Sequence, residues 1–233
     1  MKRYSGVFMM TLSVIISLGI SKVWAEENSL KERFYFEPEA MVIVPGNDDE
    51  NEELGKDELK PGPFIGSRIG FEVSPWTSLE FETGWAKIDE KFEGEEVAEL
   101  TMVPLFLNVK LDLTSGEARF SPYVYVGGGV IFNDYDLDIS KTIEILNDIL
   151  GVDLDSLGVT VSVDVGNAGA IQAGGGLLYR LNKNWSIFAE ARYLHAQMDI
   201  TATVATSDTE IQAILENEKL DMFIAGAGFR FNF

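Results

Sequence analysis

The sequence predicts an all-β protein: an eight-stranded antiparallel transmembrane β-barrel with short turns on one rim and long acidic loops, carrying two short helices, on the other. Three observations predict it. Apolar and polar residues alternate with a period of two in eight separate runs, as strands with two unlike faces require. Glycines gather on the polar face of those runs, and the connections between runs are alternately short and long. Composition removes several other classes. The 233 residues include no Cys and a single His, which excludes disulfide, thiolate-metal and paired-His metal sites, and no cofactor is implied. With 18 Lys and Arg against 38 Asp and Glu, a net charge of −20, the chain lacks the clustered basic face that nucleic acid demands. Its 46% hydrophobic content is too high for a disordered acidic chain.

The first segment reads as an export signal. Lys2 and Arg3 precede an apolar stretch from Val7 to Ile20, and Val23-Trp24-Ala25 puts suitable residues before a cleavage point ahead of Glu26. The apolar stretch is short for a membrane helix, which needs about 20 residues. Residues 1–25 are therefore expected to be a secretory signal peptide and residues 26–233 the barrel domain. No later stretch has the length and apolarity of a spanning helix.

The runs follow in order. Phe34, Phe36, Ala40, Val42 and Val44 oppose Tyr35, Glu37 and Glu39; Ile65, Ile69, Phe71 and Val73 oppose Gly66, Arg68, Gly70 and Glu72. Leu79, Phe81 and Trp85 oppose Glu80, Glu82 and Gly84, and Val103, Leu105, Leu107, Val109 and Leu111 oppose Asn108 and Lys110. In the fifth run Val124, Val126, Val130 and Phe132 face away from Tyr123, Tyr125, Gly127 and Gly129, and either face could be buried. Ile171, Leu177 and Tyr179 then oppose Gln172, Gly174, Gly176 and Arg180, while Trp185, Ile187, Ala189 and Tyr193 oppose Glu190 and Arg192. The last run sets Phe223, Ala225, Ala227, Phe229, Phe231 and Phe233 against Gly226, Gly228, Arg230 and Asn232. Each suits a spanning strand of about 9 to 11 residues. Pro38 and Pro104 are expected near strand starts, where a lost ladder bond is tolerated.

Eight such strands build either a soluble calyx, apolar inside, or a membrane barrel, apolar outside. Glycines on the polar face favour the barrel, because a narrow lumen needs small residues beside long charged ones, whereas on a wetted surface they would only weaken the strands. Short segments at 74–77, 114–118 and 182–184 define one rim. Phe34, Phe36, Phe71, Trp76, Tyr179, Trp185, Phe231 and Phe233 gather there as an interfacial girdle.

Val103-Pro104-Leu105-Phe106-Leu107-Asn108-Val109-Lys110-Leu111, followed by Ser121-Pro122-Tyr123-Val124-Tyr125-Val126-Gly127-Gly128-Gly129, resembles the small outer-membrane β-barrel proteins of Gram-negative bacteria, and among them the OmpW-like branch. Glu190-Ala191-Arg192-Tyr193 and the terminal Gly228-Phe229-Arg230-Phe231-Asn232-Phe233 support the likeness, which covers the strands and not the loops. The resemblance implies a cell outer-membrane location, periplasmic short turns and extracellular loops. It implies passive passage of small, mainly hydrophobic molecules, and an assembly signal at Phe229, Phe231 and Phe233 read by the barrel-insertion machinery. A sealed structural or adhesin-type surface barrel acting through its acidic loops is the alternative. An enzyme is not expected: the lone His195 has Gln197, not Ser, two residues on.

Taking the long loops as 46–62, 88–99, 133–167 and 199–220, they hold 26 acids and five Lys or Arg. On the polar face Glu37, Glu39, Glu72, Glu80, Glu82 and Glu190 nearly balance Arg68, Lys110, Arg180, Arg192 and Arg230. This composition predicts a salt-bridged plug, since charges in a poorly hydrated interior must be paired; a polar conduction path is the alternative. Asp48-Asp49-Glu50-Asn51-Glu52-Glu53 is expected to be a solvated loop, with divalent cations near lipopolysaccharide phosphates as its functional alternative. Asp134-x-Asp136-x-Asp138 lacks the Gly and Glu of an EF-hand. Helical spacing at Ile143, Leu146 and Ile149, and a capping box at 207–210 before Ile211, Ile214 and Leu215, predict two loop helices. They would either form a lid over the mouth or simply stabilise the loops.

Overall fold

A computed structural model describes residues 33–46, 57–92, 95–114, 118–139, 141, 160–205 and 210–233. The spanning strands are β1 (Phe34–Pro45), β3 (Gly62–Ser74), β4 (Thr77–Phe92), β5 (Glu95–Asp112), β6 (Phe120–Leu137), β8 (Ala168–Arg180), β9 (Trp185–Ala205) and β10 (Glu210–Asn232). Each is antiparallel to its neighbours, and β10 pairs with both β9 and β1, closing an eight-stranded barrel. Two short strands stand off this path. β2 (Asp57–Leu59) extends along β4, and β7 (Thr160–Val165) extends along β9.

The alternation sorts the side chains as expected. Val42, Ile65, Phe81, Leu107, Val126, Ile171 and Phe223 are exposed on the outside, while Tyr35, Arg68, Glu80, Asn108, Tyr123 and Arg192 are buried within. The open question on β6 resolves with Tyr123 and Tyr125 inside. Lumenal glycines make room for rings. A Cβ on Gly70 would fall within the Tyr35 ring, and one on Gly228 against the Phe188 ring. Gly70→Ala is therefore expected to destabilise the barrel by about 1–3 kcal/mol, the usual cost of overpacking, seen as a lower urea midpoint. An unchanged midpoint would mean that the Tyr35 ring is not confined.

The eight spanning strands run 12 to 23 residues, longer than the spanning length expected. Residues 88–92, 95–99, 133–137, 199–205 and 210–220, expected in loops, belong to strands that continue past the apolar outer band. The alternation reverses phase there. On β9, Trp185, Ile187 and Tyr193 point outward and Glu190 and Arg192 inward; beyond them Leu194, Ala196 and Met198 are buried inside while Gln197 and Asp199 are exposed. β4 does the same with Ala86 and Ile88 inside. Water replaces lipid outside the strand at this height, so the outer face turns polar and the inner face becomes the apolar core.

Three expectations need correction. Ile211, Ile214 and Leu215 are strand residues of β10, paired with Val204, Thr201 and Ile200 of β9, with a bulge between Leu215 and Glu218. A ladder partner that is itself rich in Ile, Thr and Val satisfies their main chain better than an isolated helical turn. Asp134 and Asp136 lie on the exposed face of β6, in extended chain rather than a loop. Pro104 sits in the middle of β5, because that strand begins at Glu95. The acidic segment 48–53 and the helical positions Ile143, Leu146 and Ile149 lie outside the described residues, as do residues 1–32.

At the short-turn rim the main chain is tightly tied. Asn182 Oδ1 accepts from the amides of Asn184 and Trp185 at 2.9 and 3.0 Å, closing the β8–β9 turn. Rings pair across strands: Phe34 with Phe71 at 4.9 Å, Phe120 with Tyr179 at 4.8 Å and Trp185 with Phe231 at 4.9 Å, with Phe233 edge-on to Phe231. At the opposite border of the apolar band, Tyr193 packs on Phe223 at 5.2 Å.

Candidate functional site: the lumen

The inner surface has two storeys. Toward the short turns lies a buried charged cluster to which all eight barrel strands contribute. Arg68 of β3 is its hub: it bonds Glu39, reaches Glu190 Oε2 at 2.7 Å, and lies 3.6 Å from both Glu37 and Glu80. Lys110 lies between Glu80 Oε1 and Glu37 Oε1, at 3.2 and 3.3 Å. Arg230 Nε donates to Glu37 at 2.6 Å, and Arg192 pairs with Glu82 at 2.5 Å and with Glu39 at 3.4 Å. Tyr35 donates to Glu80, while Tyr123 and Tyr125 donate to the two oxygens of Glu190 at 2.8 and 2.9 Å. Asn108 and Gln172 both donate to Glu82 Oε2.

Rings complete the cage. The Lys110 ammonium sits 3.8 Å from the Tyr123 ring centre, and the Arg230 guanidinium 3.8 Å from that of Tyr35. Nearly every charged group is thus shared among several partners, which is what a dry interior demands of ions that cannot be hydrated. Of the expected polar set, Glu37, Glu39, Arg68, Glu80, Glu82, Lys110, Glu190, Arg192 and Arg230 meet in this cluster. Glu72 and Arg180 lie half-buried near the short-turn rim, where the barrel mouth lets in water.

Above the cluster the lumen is apolar. Ile43, Phe64, Met102, Phe106, Ile131, Leu194, Met222 and Ile224 are all at most 3% exposed. These residues were absent from the sequence-based site, although they continue the parity of the polar set: Met41 and Ile43 follow Glu37 and Glu39 at steps of two. Where the storeys meet, a void of about 10 Å³ is bordered by Met102, Pro104, Phe106 and Met222, with Glu82 and Arg192 on its floor. That is room for roughly one water molecule.

Pro104 also marks an interruption in the β4–β5 ladder, as Pro38 does in the β1–β10 ladder. The β4–β5 pairing runs in register on both sides of it, from Thr83 opposite Leu105 to Ala86 opposite Met102, with no paired positions between. A proline has no N–H to give the ladder. Trp85 flanks the β4–β5 interruption on the outside, so it lies within the apolar band. Further up, β6 and β7 share no ladder among the described residues, and Asn133 Nδ2 of β6 donates to the carbonyl of Gly166, the residue after β7, at 2.8 Å.

His195 is on the outer face where the apolar band ends. Its Nδ1 is 2.6 Å from Asp221 Oδ1, and Gln197 lies 3.4 Å from Nε2. The Asp221 carboxylate also accepts a hydrogen bond from Tyr193. On β4, Lys87 bonds Glu99 at 2.7 Å. Both pairs are solvent-exposed and add little to stability.

A barrel with an apolar belt outside and charges packed inside is built for lipid, and the sequence agrees: the profile of the outer membrane protein beta-barrel domain matches residues 15–232. The chain belongs to that family. It is an outer-membrane β-barrel. Outer membrane protein Omp38 of Acinetobacter baumannii is 28% identical over 138 residues, 58% of this chain, which spans a third of that protein's length. Among solved structures, the outer membrane protein OprG of Pseudomonas aeruginosa aligns over 87% of this chain and 98% of its own, at 14% identity and a TM-score of 0.56. Outer membrane protein AlkL aligns over 90% and 94%, at 18% identity and a TM-score of 0.53. At these identities the two structures speak for the fold.

Proposed function

We propose that this barrel gives small, mainly hydrophobic molecules a passive route into the outer membrane. They enter the apolar upper lumen from the cell surface, are stopped by the charged cluster, and leave sideways beside Pro104. The observation that carries this reading is the void at the junction of the storeys, which borders the gap in the β4–β5 ladder. The OmpW-like resemblance of residues 103–111 and 121–129 agrees with it. Phe229, Phe231 and Phe233 would serve as the signal read by the barrel-insertion machinery, and the acidic connections would face lipopolysaccharide at the surface.

The test uses asymmetric bilayers with a lipopolysaccharide outer leaflet, reading the entry of an apolar fluorophore and ion conductance together. The barrel is expected to speed entry while staying electrically silent. Pro104→Ala, which offers the ladder a further N–H, is expected to slow entry about fivefold, the factor matching ~1 kcal/mol for one hydrogen bond. No acceleration over bare bilayers would overturn the route. A second reading, a sealed barrel acting through its surface connections, draws on the tight filling of the lumen; it predicts no acceleration and no conductance.

A further inference from the structure

We propose that the floor of the apolar lumen is a head-group site for an unbranched alkyl chain ending in an uncharged oxygen, such as a primary alcohol. The inference rests on the hydrophobic-route reading and narrows its substrate class.

Three observations select this ligand. The first is an unmet donor: Arg192 borders the void, is 3% exposed, and its Nε has no hydrogen-bond partner among the described residues. A buried N–H of this kind is satisfied by an acceptor oxygen. The second is charge. The buried cluster contains five carboxylates, Glu37, Glu39, Glu80, Glu82 and Glu190, against four cations, Arg68, Lys110, Arg192 and Arg230. An anionic head would bring a further negative charge beside Glu82, and a cationic head would meet Arg192. A cation would balance the excess carboxylate but has no lone pair for the Arg192 N–H, whereas an uncharged oxygen accepts it without adding charge.

The third is the shape the walls can adopt. Ile43, Phe64, Phe106 and Ile131 are branched or aromatic and stiff. Met102 and Met222 border the same void and are the adaptable members of its lining. Every methionine beyond residue 32, namely Met41, Met102, Met198 and Met222, is buried in the lumen, whereas the lipid-facing side uses Val, Ile, Leu and aromatic residues. Swinging two thioether chains aside opens a narrow slot, which suits a linear chain and excludes a bulky ring.

The experiment reads isotope-labelled methionine methyls by NMR in lipid nanodiscs, assigned with single Met→Leu variants. The probes are dodecanol, dodecane, dodecanoate, dodecyltrimethylammonium and adamantanol at about pH 9, well above the carboxyl range. Dodecanol is expected to shift the Met102 and Met222 methyls saturably, at least about tenfold more tightly than either charged chain, with adamantanol inert. Arg192→Lys keeps the charge and removes Nε, so dodecanol should then bind no better than dodecane. If that variant does not fold, the comparison among probes on the unmodified protein still decides. Equal shifts from dodecane, dodecanol and dodecanoate would overturn the head site and leave the lumenal route standing. Shifts from none of the chains would overturn both.

Discussion

Arg68→Met is expected to cost about 3–5 kcal/mol of unfolding free energy, because it strands buried carboxylates rather than removing one bond. Arg68 is fully buried and touches Glu37, Glu39, Glu80 and Glu190, which come from β1, β4 and β9. Without it, three cations face five carboxylates, and Glu190 retains the two tyrosine hydroxyls and a distant Arg192 at 3.9 Å. Urea titration of the refolded barrel in phospholipid measures the loss. Adding Glu39→Gln should recover part of it, since the double variant removes one of the stranded charges, and that non-additivity identifies a coupled pair. Planar-bilayer recording of the same variant adds an independent readout: water entering to hydrate the stranded carboxylates is expected to appear as discrete ion currents. A loss below about 1 kcal/mol, with no recovery in the double variant, would show that the cluster is not held by its charges.

Much of this arrangement is legible in the amino-acid order, and the limits have a physical cause. Period-two alternation identifies eight spanning runs because lipid outside and charge inside give the two faces opposite character. It places Glu37, Arg68, Glu82 and Arg230 on one inner surface, since one parity per strand points inward once the barrel closes. It cannot say that Arg68 reaches four carboxylates while Arg180 stays at the rim, because register and depth emerge only from the pairing of eight strands. The reading stops at Tyr193 on β9 and at Trp85 on β4 for a different reason. Beyond those residues the solvent on the outer face changes from lipid to water, the polar and apolar faces exchange, and a continuous strand looks like the beginning of an acidic loop. Met198, Met222 and Leu100 were therefore absent from the expected site, although a search for a reversal of phase within an unbroken alternation would have found them. Ile211 and Leu215 show the same limit: helical spacing is satisfied locally, while β9 supplies the ladder partner that settles the backbone.

The reversal of phase makes opposite demands on positions of one strand, and β5 offers the sharpest contrast. Leu107 is 62% exposed, faces lipid between Phe81 and Gly128, and lies well inside the apolar band. Leu107→Arg is expected to cost about 2–4 kcal/mol, the penalty for a cation near the bilayer midplane of such a barrel. Thr101 has the same outward parity six residues farther from the short-turn rim, beside Lys87 and Asp134. Thr101→Arg should cost about 0–1 kcal/mol, since that height lies at the interface. Leu100 is its immediate neighbour, 8% exposed and inward, packed in the apolar storey. A cation there has neither water nor lipid headgroup to reach, so Leu100→Arg should be as damaging as the midplane change despite lying nearly at the height of Thr101. Unfolding free energies of the three variants in one lipid decide the matter. If Thr101→Arg and Leu100→Arg proved equally mild, the upper lumen would be wet, and an apolar route through it would have no walls. Equal severity at Leu107 and Thr101 would instead place the bilayer border farther from the short-turn rim, beyond the aromatic pair of Tyr193 and Phe223.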